Sequence, residues 1–262
     1  MKLLFVGYAT VDIIQGSLHP GGAAAVMAIN GSKLGHDCSL LTILSQDTIG
    51  KFYQSVLKKY SVDFSKSFLK SPSVPTCTIP RPHDLGSQRI WSDNGANKFI
   101  NKITISPAYL AHFDGIFVAN SHPDLAERIA LDCIHSLLYI PGPQAVLKPN
   151  YIRQSVLKKS RIVFGNEEEA PYILKQKPFD CDVEIMVITK GKSGGTVYTK
   201  NGESHRYTAP KVKKVIDPTG AGDAFALGFG IQYLKSNTIE ESITSGTLLA
   251  SRTVAHEGAL LI

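Results

Sequence analysis

Short apolar runs alternate with amphipathic segments along most of this chain, and that alternation limits the possible folds more than any other feature of the sequence. Between the apolar runs, residues 49–60, 123–136 and 239–254 favour helices. This alternation predicts an α/β fold, in which a mostly parallel sheet is covered by helices on both faces. Six runs have the length and composition of fully buried strands: residues 3–6, 40–44, 115–119, 137–140, 161–164 and 185–189.

Two segments interrupt the alternation. Residues 9–20 are short and rich in turn formers, and residues 71–98 contain four prolines and a period-two run. We expect these segments to form a few antiparallel strands standing off the main sheet, as a small β-sheet lid. Ordinary surface hairpins are the alternative. Because no linker-like tract or internal repeat divides the chain, residues 1–262 are predicted to form a single domain.

Composition argues against several classes of protein. The net charge is +6, but the 28 lysines and arginines are scattered with no run longer than two, so no nucleic-acid partner is predicted. The four cysteines are widely separated, which argues against zinc ribbons and fits a reducing compartment. The first apolar run stops at Gly7, and no stretch approaches the roughly 18 apolar residues of a membrane span. We therefore expect a cytoplasmic protein without a membrane partner.

The strongest chemical signal is the glycine-rich segment 215–230. A strand-like start leads into a turn with Gly220 and Gly222 and then into an apolar helix. Such a turn presents successive backbone N–H groups, and the helix start adds a positive dipole end, so the segment forms an anion hole. Asp223 at its rim is placed to accept the proton of an alcohol whose oxygen attacks a phosphorus.

The same segment has a purely structural alternative, a glycine-rich N-cap before a buried helix. Its length and its small–small–acid pattern favour the chemical interpretation. Further along the helix, Gly228 and Gly230 each cost about 1 kcal/mol relative to alanine. Their presence therefore predicts close packing of this helix against another element.

Asn166 and Glu169 follow the apolar run that ends at Phe164. Ligands of α/β sheets bind at the carboxyl ends of strands, and hard cations such as Mg²⁺ take oxygen ligands while keeping several waters. The pair is therefore a candidate site for Mg²⁺ and phosphate oxygens. Asparagine at an N-cap with glutamate three residues later is also a capping box, and the sequence leaves the two interpretations open.

Two further glycine clusters follow strand-like runs. In 189–195, glycines can lie flat against a nucleotide phosphate while Lys190 or Lys192 adds charge, although a simple strand-to-hairpin turn is the alternative. Gly21 and Gly22 precede a helix of small residues and permit close approach of the backbone to a ligand. Asp12 lies just upstream, as a ligand contact or as a solvated turn carboxylate.

In this order, the four segments resemble the ribokinase-like (PfkB) carbohydrate kinase family over nearly the whole chain. Residues 7–35 are similar to its N-terminal substrate motif, and residues 217–223 to its D-T-T-G-A-G-D segment. Asn166 and Glu169 match its N-x-x-E. Its T-x-G-x-x-G pattern matches Thr189, Gly191 and Gly194.

The resemblance implies a Rossmann-like α/β/α sandwich with a β-sheet lid that often mediates homodimers. It also implies ATP and Mg²⁺ as cofactors, often with a stimulating potassium ion, and an acceptor that is a small sugar or a nucleoside. The roles that it implies for single residues are these: Asp223 as catalytic base, Gly220, Ala221 and Gly222 as the anion hole, Asp12, Gly21 and Gly22 as acceptor contacts, Asn166, Thr189, Gly191 and Gly194 as ATP contacts, and Asn166 with Glu169 as Mg²⁺ ligands.

The chain departs from the family pattern at several positions. Val26 stands where many sugar-specific members have asparagine, which removes a polar substrate contact, and Pro218 replaces the usual threonine. The sequence therefore leads to one principal hypothesis, an ATP-dependent kinase that phosphorylates a hydroxyl group of a small sugar. A nucleoside kinase of the same family and a non-catalytic metabolite-binding relative are its alternatives.

Overall fold

A computed structural model describes residues 1–14, 16–69, 73–79, 90–91, 95–134, 136–148, 150–176, 178–180 and 183–261. Parts of the expected lid, residues 71–72, 80–89 and 92–94, lie outside the described residues. The strands are, in chain order, β1 Lys2–Val6, β2 Thr10–Ile14, β3 Ser17–Gly21, β4 Asp37–Leu41, β5 Ile43–Leu44, β6 Phe68–Leu69, β7 Thr76–Ile79, β8 Ile90–Trp91, β9 Gly115–Ala119, β10 Ser136–Ile140, β11 Ser160–Asn166, β12 Ile185–Thr189, β13 Gly195–Thr199 and β14 Ser204–Tyr207.

Helices connect most of the strands. The 3₁₀ segments are Gly95–Lys102, Pro178–Asp180 and Gly191–Ser193. The α-helices are, in chain order, α1 Ala23–Lys33, α2 Thr48–Lys59, α3 Pro107–Leu110, α4 Pro123–Asp132, α5 Gln144–Leu147, α6 Gln154–Leu157, α7 Ala170–Leu174, α8 Ala221–Ser236 and α9 Ile239–Thr253. Within the described ranges, no helix is both long enough and apolar enough to cross a membrane.

The main sheet has the order β14-β13-β12-β11-β10-β9-β1-β4. The six neighbouring strands β4, β1, β9, β10, β11 and β12 run parallel to one another. At one edge, β13 and β14 add an antiparallel hairpin. Successive side chains of a strand point to opposite faces. Accordingly, Leu3 and Phe5 pack in one core cluster and Leu4 and Val6 in another, so both faces of the sheet are buried. The predicted α/β/α sandwich is confirmed.

A second, smaller sheet has the order β3-β2-β7-β8. Its strands pair antiparallel between β2 and β3 and between β7 and β8, whereas β2 and β7 run parallel. Both segments that interrupt the alternation in the sequence supply strands to it. The prediction of a small lid sheet is therefore confirmed, but its pairing is mixed rather than purely antiparallel.

Three local predictions can be compared with the structure. The run 40–44 is divided at Thr42 between β4 and β5, because β5 leaves the main sheet to pair with β6. The helix expected over 123–136 ends at Asp132, so that β10 can begin at Ser136. Close packing of α8 is confirmed, since a Cβ on Gly228 would lie 2.7 Å from the carbonyl oxygen of Ser245 in α9.

Candidate functional site

A cavity of about 670 Å³ lies along the carboxyl ends of the parallel strands. Its walls come from residues at or just after the ends of β1, β9, β10, β11 and β12, from β2 of the lid, and from the first turn of α8. This is the edge at which open α/β sheets bind their ligands. Nine of the twelve predicted site residues line it: Asp12, Gly21, Gly22, Asn166, Glu169, Thr189, Gly220, Gly222 and Asp223.

The glycine-rich turn forms the start of α8. Gly220 is the N-cap residue with φ of 76°, a left-handed conformation that glycine adopts without strain. A Cβ at Gly220 would lie 2.4 Å from the Cβ of Ala259, so there is no room for a side chain. Gly222 and Asp223 follow in the first helical turn, where N–H groups have no intrahelical acceptor. The turn therefore combines both predicted features, an N-cap of a buried helix and a set of amides at a cavity.

Ala221 differs from its neighbours. It does not line the cavity, and its N–H donates to the carbonyl oxygen of Pro218 at 3.2 Å. Asp217, at the beginning of the turn, is fully buried, and its carboxylate accepts hydrogen bonds from the N–H of Thr219 at 2.9 Å and of Gly258 at 3.0 Å. This carboxylate therefore joins the first residues of the turn to Gly258, which lies 41 residues further along the chain.

Asp12, Gly21 and Gly22 form a second wall of the cavity. Asp12 lies in β2 and Gly21 ends the neighbouring β3, and a Cβ at Gly21 would lie 2.5 Å from a carboxylate oxygen of Asp12. Gly22 has φ of 87° and begins α1 as its N-cap. The hydroxyl of Tyr53, a fully buried residue of α2, donates to the carbonyl oxygen of Gly21 at 2.5 Å. Gly21 therefore lets the chain pass directly beneath the Asp12 side chain, whereas a Cβ on Gly22 would lie 2.3 Å from the carbonyl oxygen of Tyr8.

Asn166 and Glu169 make the reciprocal hydrogen bonds of a capping box, which the sequence left as one of two possibilities, in the turn just before α7, whose N-cap residue is Glu169. The Asn166 Oδ1 accepts from the N–H of Glu169 at 3.0 Å, and the Glu169 carboxylate accepts from the Asn166 N–H at 3.3 Å. Both residues also line the cavity. Burial raises the pKa of Glu169, and the hydrogen bond from Asn166 opposes that rise. The capping arrangement thus holds a buried carboxylate at the cavity wall.

The segment after β12 is a hairpin turn into β13, and it reaches the cavity only at its start. Thr189 lines the cavity, but Gly191 and Gly194 do not. Gly194 has φ of 90°, and a Cβ there would lie 2.0 Å from the carbonyl oxygen of Tyr207. Gly191 is exposed, with φ of 52°. These two glycines shape the turn, as the simple hairpin alternative predicted.

Comparison with known families complements this geometry. The sequence profile of the pfkB family carbohydrate kinases matches residues 7–261. The chain belongs to this family. It is a carbohydrate kinase in the broad sense that covers sugar and nucleoside kinases. The predicted family, fold class and enzyme class are therefore confirmed.

Relatives within the PfkB family act on several acceptors, according to their names. The nucleoside kinase of Methanocaldococcus jannaschii is 26% identical over 258 residues, which cover 95% of this chain and 83% of the relative. Its crystal structure has a TM-score of 0.85 and covers 98% of this chain and 93% of that one. The 5-dehydro-2-deoxygluconokinase of Lacticaseibacillus casei is 24% identical, over 88% of this chain and 79% of the relative.

One structural neighbour was solved with ribose and ATP bound. The structure of Arabidopsis thaliana ribokinase complexed with ribose and ATP has a TM-score of 0.83 and 18% identity, covering 98% of this chain and 93% of that chain. At this level of identity the likeness establishes the fold alone. The choice of acceptor in the present chain therefore depends on its own residues.

The predicted Mg²⁺ ligands of this PfkB kinase, Asn166 and Glu169, both lie at the cavity. Within the ranges that the structure describes, no cluster of three or more His, Cys, Asp or Glu side chains can hold a metal ion. Asn166 and Glu169 are two residues with side-chain oxygen ligands at the cavity wall. That number fits a hydrated Mg²⁺, which keeps several waters and binds largely through the phosphates of a nucleotide.

Sequence reasoning missed three residues that hold the walls in place, and one of them, Asn97, also lines the cavity. Tyr53 lies on the apolar face of a predicted helix, and nothing in that pattern distinguishes it from other core positions. The amide of Asn97 is buried and donates to the carbonyl oxygen of Ala9 at 2.9 Å, tying the lid segment to the chain beside the cavity. Asp217 had a detectable signal, because it begins the glycine-rich motif, yet no role was predicted for it.

Proposed function

We propose that this protein transfers the γ-phosphate of ATP to a hydroxyl group of a small sugar. The observation that carries the proposal is that a single cavity is lined by Asp12 with the paired glycines on one wall and by Asp223 with the glycine-rich turn on another. A kinase needs these two walls together, because the acceptor hydroxyl and the phosphoryl group must meet in one water-excluding site.

Asp223 is the proposed general base. It lies in the first turn of α8, where the helix dipole favours the ionised carboxylate. In the proposed step it accepts the proton of the acceptor hydroxyl as that oxygen bonds to the γ-phosphorus and the bond from phosphorus to the bridging oxygen of ADP breaks. The amides of Gly220 and Gly222 stabilise charge on the transferred phosphoryl group, whereas the N–H of Ala221 is already bonded to Pro218.

The nucleotide phosphates are proposed to lie between the glycine-rich turn and the wall formed by Thr189, Asn166 and Glu169. Mg²⁺ would supply charge neutralisation of the phosphates when bound beside Glu169 and Asn166. Gly191 and Gly194 would act indirectly, by shaping the turn that follows Thr189. Potassium stimulation and a homodimer formed through the lid remain predictions that follow from the family.

A nucleoside is the second candidate acceptor. Val26, at 2% exposure, presents an apolar surface to the same cavity, and the exposed side chain of Leu147 lines it as well. Apolar walls suit a nucleobase better than a free sugar. The similarity to the M. jannaschii nucleoside kinase favours the same acceptor. A non-catalytic role is less well supported, because Asp223 and the turn before it are intact.

An acceptor-dependent assay of ADP release with Mg²⁺ present tests these proposals. Sugars, sugar phosphates and nucleosides are supplied one at a time, and Asp223→Asn protein prepared in parallel reports any contaminating kinase. Release that depends on a sugar supports the first proposal, and release that depends only on nucleosides supports the second. If no compound stimulates release but one of them raises the melting temperature, the non-catalytic alternative replaces both.

A further inference from the structure

The last residues of the chain are bound to a helix that lies far away in the sequence. Asn30, in α1, is fully buried. Its Nδ2 donates to the carbonyl oxygen of Ala259 at 3.0 Å, and its Oδ1 accepts from the N–H of Leu261 at 2.8 Å. One side chain therefore satisfies two backbone groups of the segment 258–261, which is called here the C-terminal segment.

The C-terminal segment in turn supports the glycine-rich turn. Ala259 lies directly against Gly220, where a Cβ would be 2.4 Å from the Cβ of Ala259. The N–H of Gly258 donates to the Asp217 carboxylate at 3.0 Å, and the other oxygen of that carboxylate accepts from Thr219 at 2.9 Å. Two independent contacts therefore join the segment to the turn that begins α8.

The same segment also contacts the lid. A Cβ on Gly258 would lie 3.1 Å from the Nδ1 of His19, which belongs to β3. Asp12, Gly21 and Gly22 form the wall that is proposed to bind the acceptor, called here the acceptor wall. Gly22 directly precedes α1, so the helix that carries Asn30 starts at this wall. The C-terminal segment thus lies between the parts of the chain that form the two walls of the cavity.

We propose that Asn30 is a positioning residue, which fixes the glycine-rich turn relative to the acceptor wall by holding the C-terminal segment against Gly220. This inference rests on the proposed function. Asparagine is a poor helix former, and a buried amide in a helix needs partners for both its donor and its acceptor. The two partners of Asn30 lie in the segment behind the turn, which gives the residue a reason to occupy this position.

Asn30→Ala is the principal variant, because it leaves the Ala259 carbonyl and the Leu261 N–H without their partner. Ser160→Ala is the matched control. Ser160 is also fully buried and donates to a backbone carbonyl, that of Val156, but it lies at the start of β11, at the opposite end of the strand from the cavity. Kinetics are measured well below both melting temperatures, with the acceptor found in the ADP-release assay.

We expect Asn30→Ala to lower kcat by about 10-fold or more, because small misplacements of reacting groups have large effects on rate, and to leave the acceptor KM within about 3-fold. Backbone amide exchange in residues 219–224 should become faster in this variant. Ser160→Ala should lower the melting temperature without either change. If Asn30→Ala lowers only the melting temperature, with kcat and exchange in 219–224 unchanged, Asn30 is merely structural and the proposal is wrong.

The exchange measurement separates this inference from the proposed function. If the wild-type protein phosphorylates no acceptor, the proposed function fails, and amide exchange in residues 219–224 still decides whether Asn30 positions the turn. If Asn30→Ala does not yield folded protein, Asn30→Ser replaces it, since serine keeps one neutral hydrogen-bonding group at this buried position but loses the amide that pairs with both Ala259 and Leu261. For that variant too, a lower kcat with faster amide exchange in residues 219–224 supports the proposal, and a lower melting temperature alone contradicts it.

Discussion

The glycine-rich turn and the acceptor wall line one cavity but are held by different means. Around the turn, the buried Asp217 carboxylate makes two hydrogen bonds, and the Asn30 amide makes two more to the segment behind it. At the acceptor wall, the Gly21 carbonyl oxygen accepts a hydrogen bond from the Tyr53 hydroxyl, and Asp12 extends from a strand of the small sheet. The wall where phosphate would be transferred is thus anchored in the main core, whereas the acceptor wall belongs partly to the lid.

This difference suggests how one family serves many acceptors. If the transfer step depends on the anchored wall, it can stay constant while lid residues change the acceptor. Relatives named as a nucleoside kinase and a 5-dehydro-2-deoxygluconokinase match this chain over most of its length. Substitutions in the glycine-rich turn should therefore change mainly kcat, whereas substitutions in the acceptor wall should change mainly the KM for the acceptor.

The largest effect is expected at Asp223. Asp223→Asn should lower kcat by about 10²–10⁴-fold while ATP and acceptor still bind, because the amide cannot take the proton of the acceptor hydroxyl. Steady-state kinetics measure the loss of kcat, and ligand-induced thermal shifts measure whether ATP and the acceptor still bind. Asp132→Asn, at the end of α4 and outside the cavity lining, is the control. A full-rate Asp223→Asn enzyme would end the assignment of this residue as the base.

Gly220→Ala tests whether the turn is as tightly packed as the structure indicates. With φ of 76° and only 2.4 Å to the Cβ of Ala259, the added methyl should cost about 2 kcal/mol or more of unfolding free energy. Gly222→Ala is the matched comparison, since its Cβ would meet no atom within 4 Å, and its stability should stay within about 0.5 kcal/mol of wild type. Urea unfolding of both variants measures the difference, and equal losses would contradict the packing argument.

Tyr53→Phe tests the acceptor wall. Burial, with a further contribution from the Asp12 charge, holds the pKa of Tyr53 well above its usual value, so the hydroxyl stays protonated and donates to Gly21. Losing this bond should raise the acceptor KM about 5- to 10-fold with kcat little changed, which corresponds to roughly 1 kcal/mol. Ser160→Ala again controls for stability. A fall in kcat without a change in KM would show that the two walls are not separable.

The smallest expected effect is a pH dependence at Glu169. Its pKa is raised in the folded protein by burial, so the folded state binds this proton more tightly than the unfolded state does. The contribution to stability is therefore present at low pH and is lost as pH rises through the folded pKa. Glu169→Gln should lack this loss, and Glu241→Gln, on an exposed part of α9, provides the reference. The unfolding free energy of each protein is measured from acid to neutral pH. If it changes with pH in the same way in wild type and in Glu169→Gln, the argument is contradicted.

The sequence by itself determined the alternation of strands and helices, the two lid segments and the family. Most of the site residues that it predicted line the cavity, because buried strands, glycine turns and helix starts leave patterns that span only a few neighbouring residues. Where two interpretations were open, as for Asn166 with Glu169, the structure shows the capping box and the cavity wall in the same residues.

Only the tertiary structure decided which of these residues reach the cavity and what holds them there. It places Gly191, Gly194 and Ala221 outside the lining, and it brings Asn30 to a segment more than two hundred residues away, with a separation of 229 positions to Ala259. Contacts between residues so far apart in the sequence depend on how the helices and strands pack together, and that packing leaves no periodic or motif-like signal at either residue. The local pattern therefore indicates the kind of chemistry, and the packing of the core fixes the residues that support it.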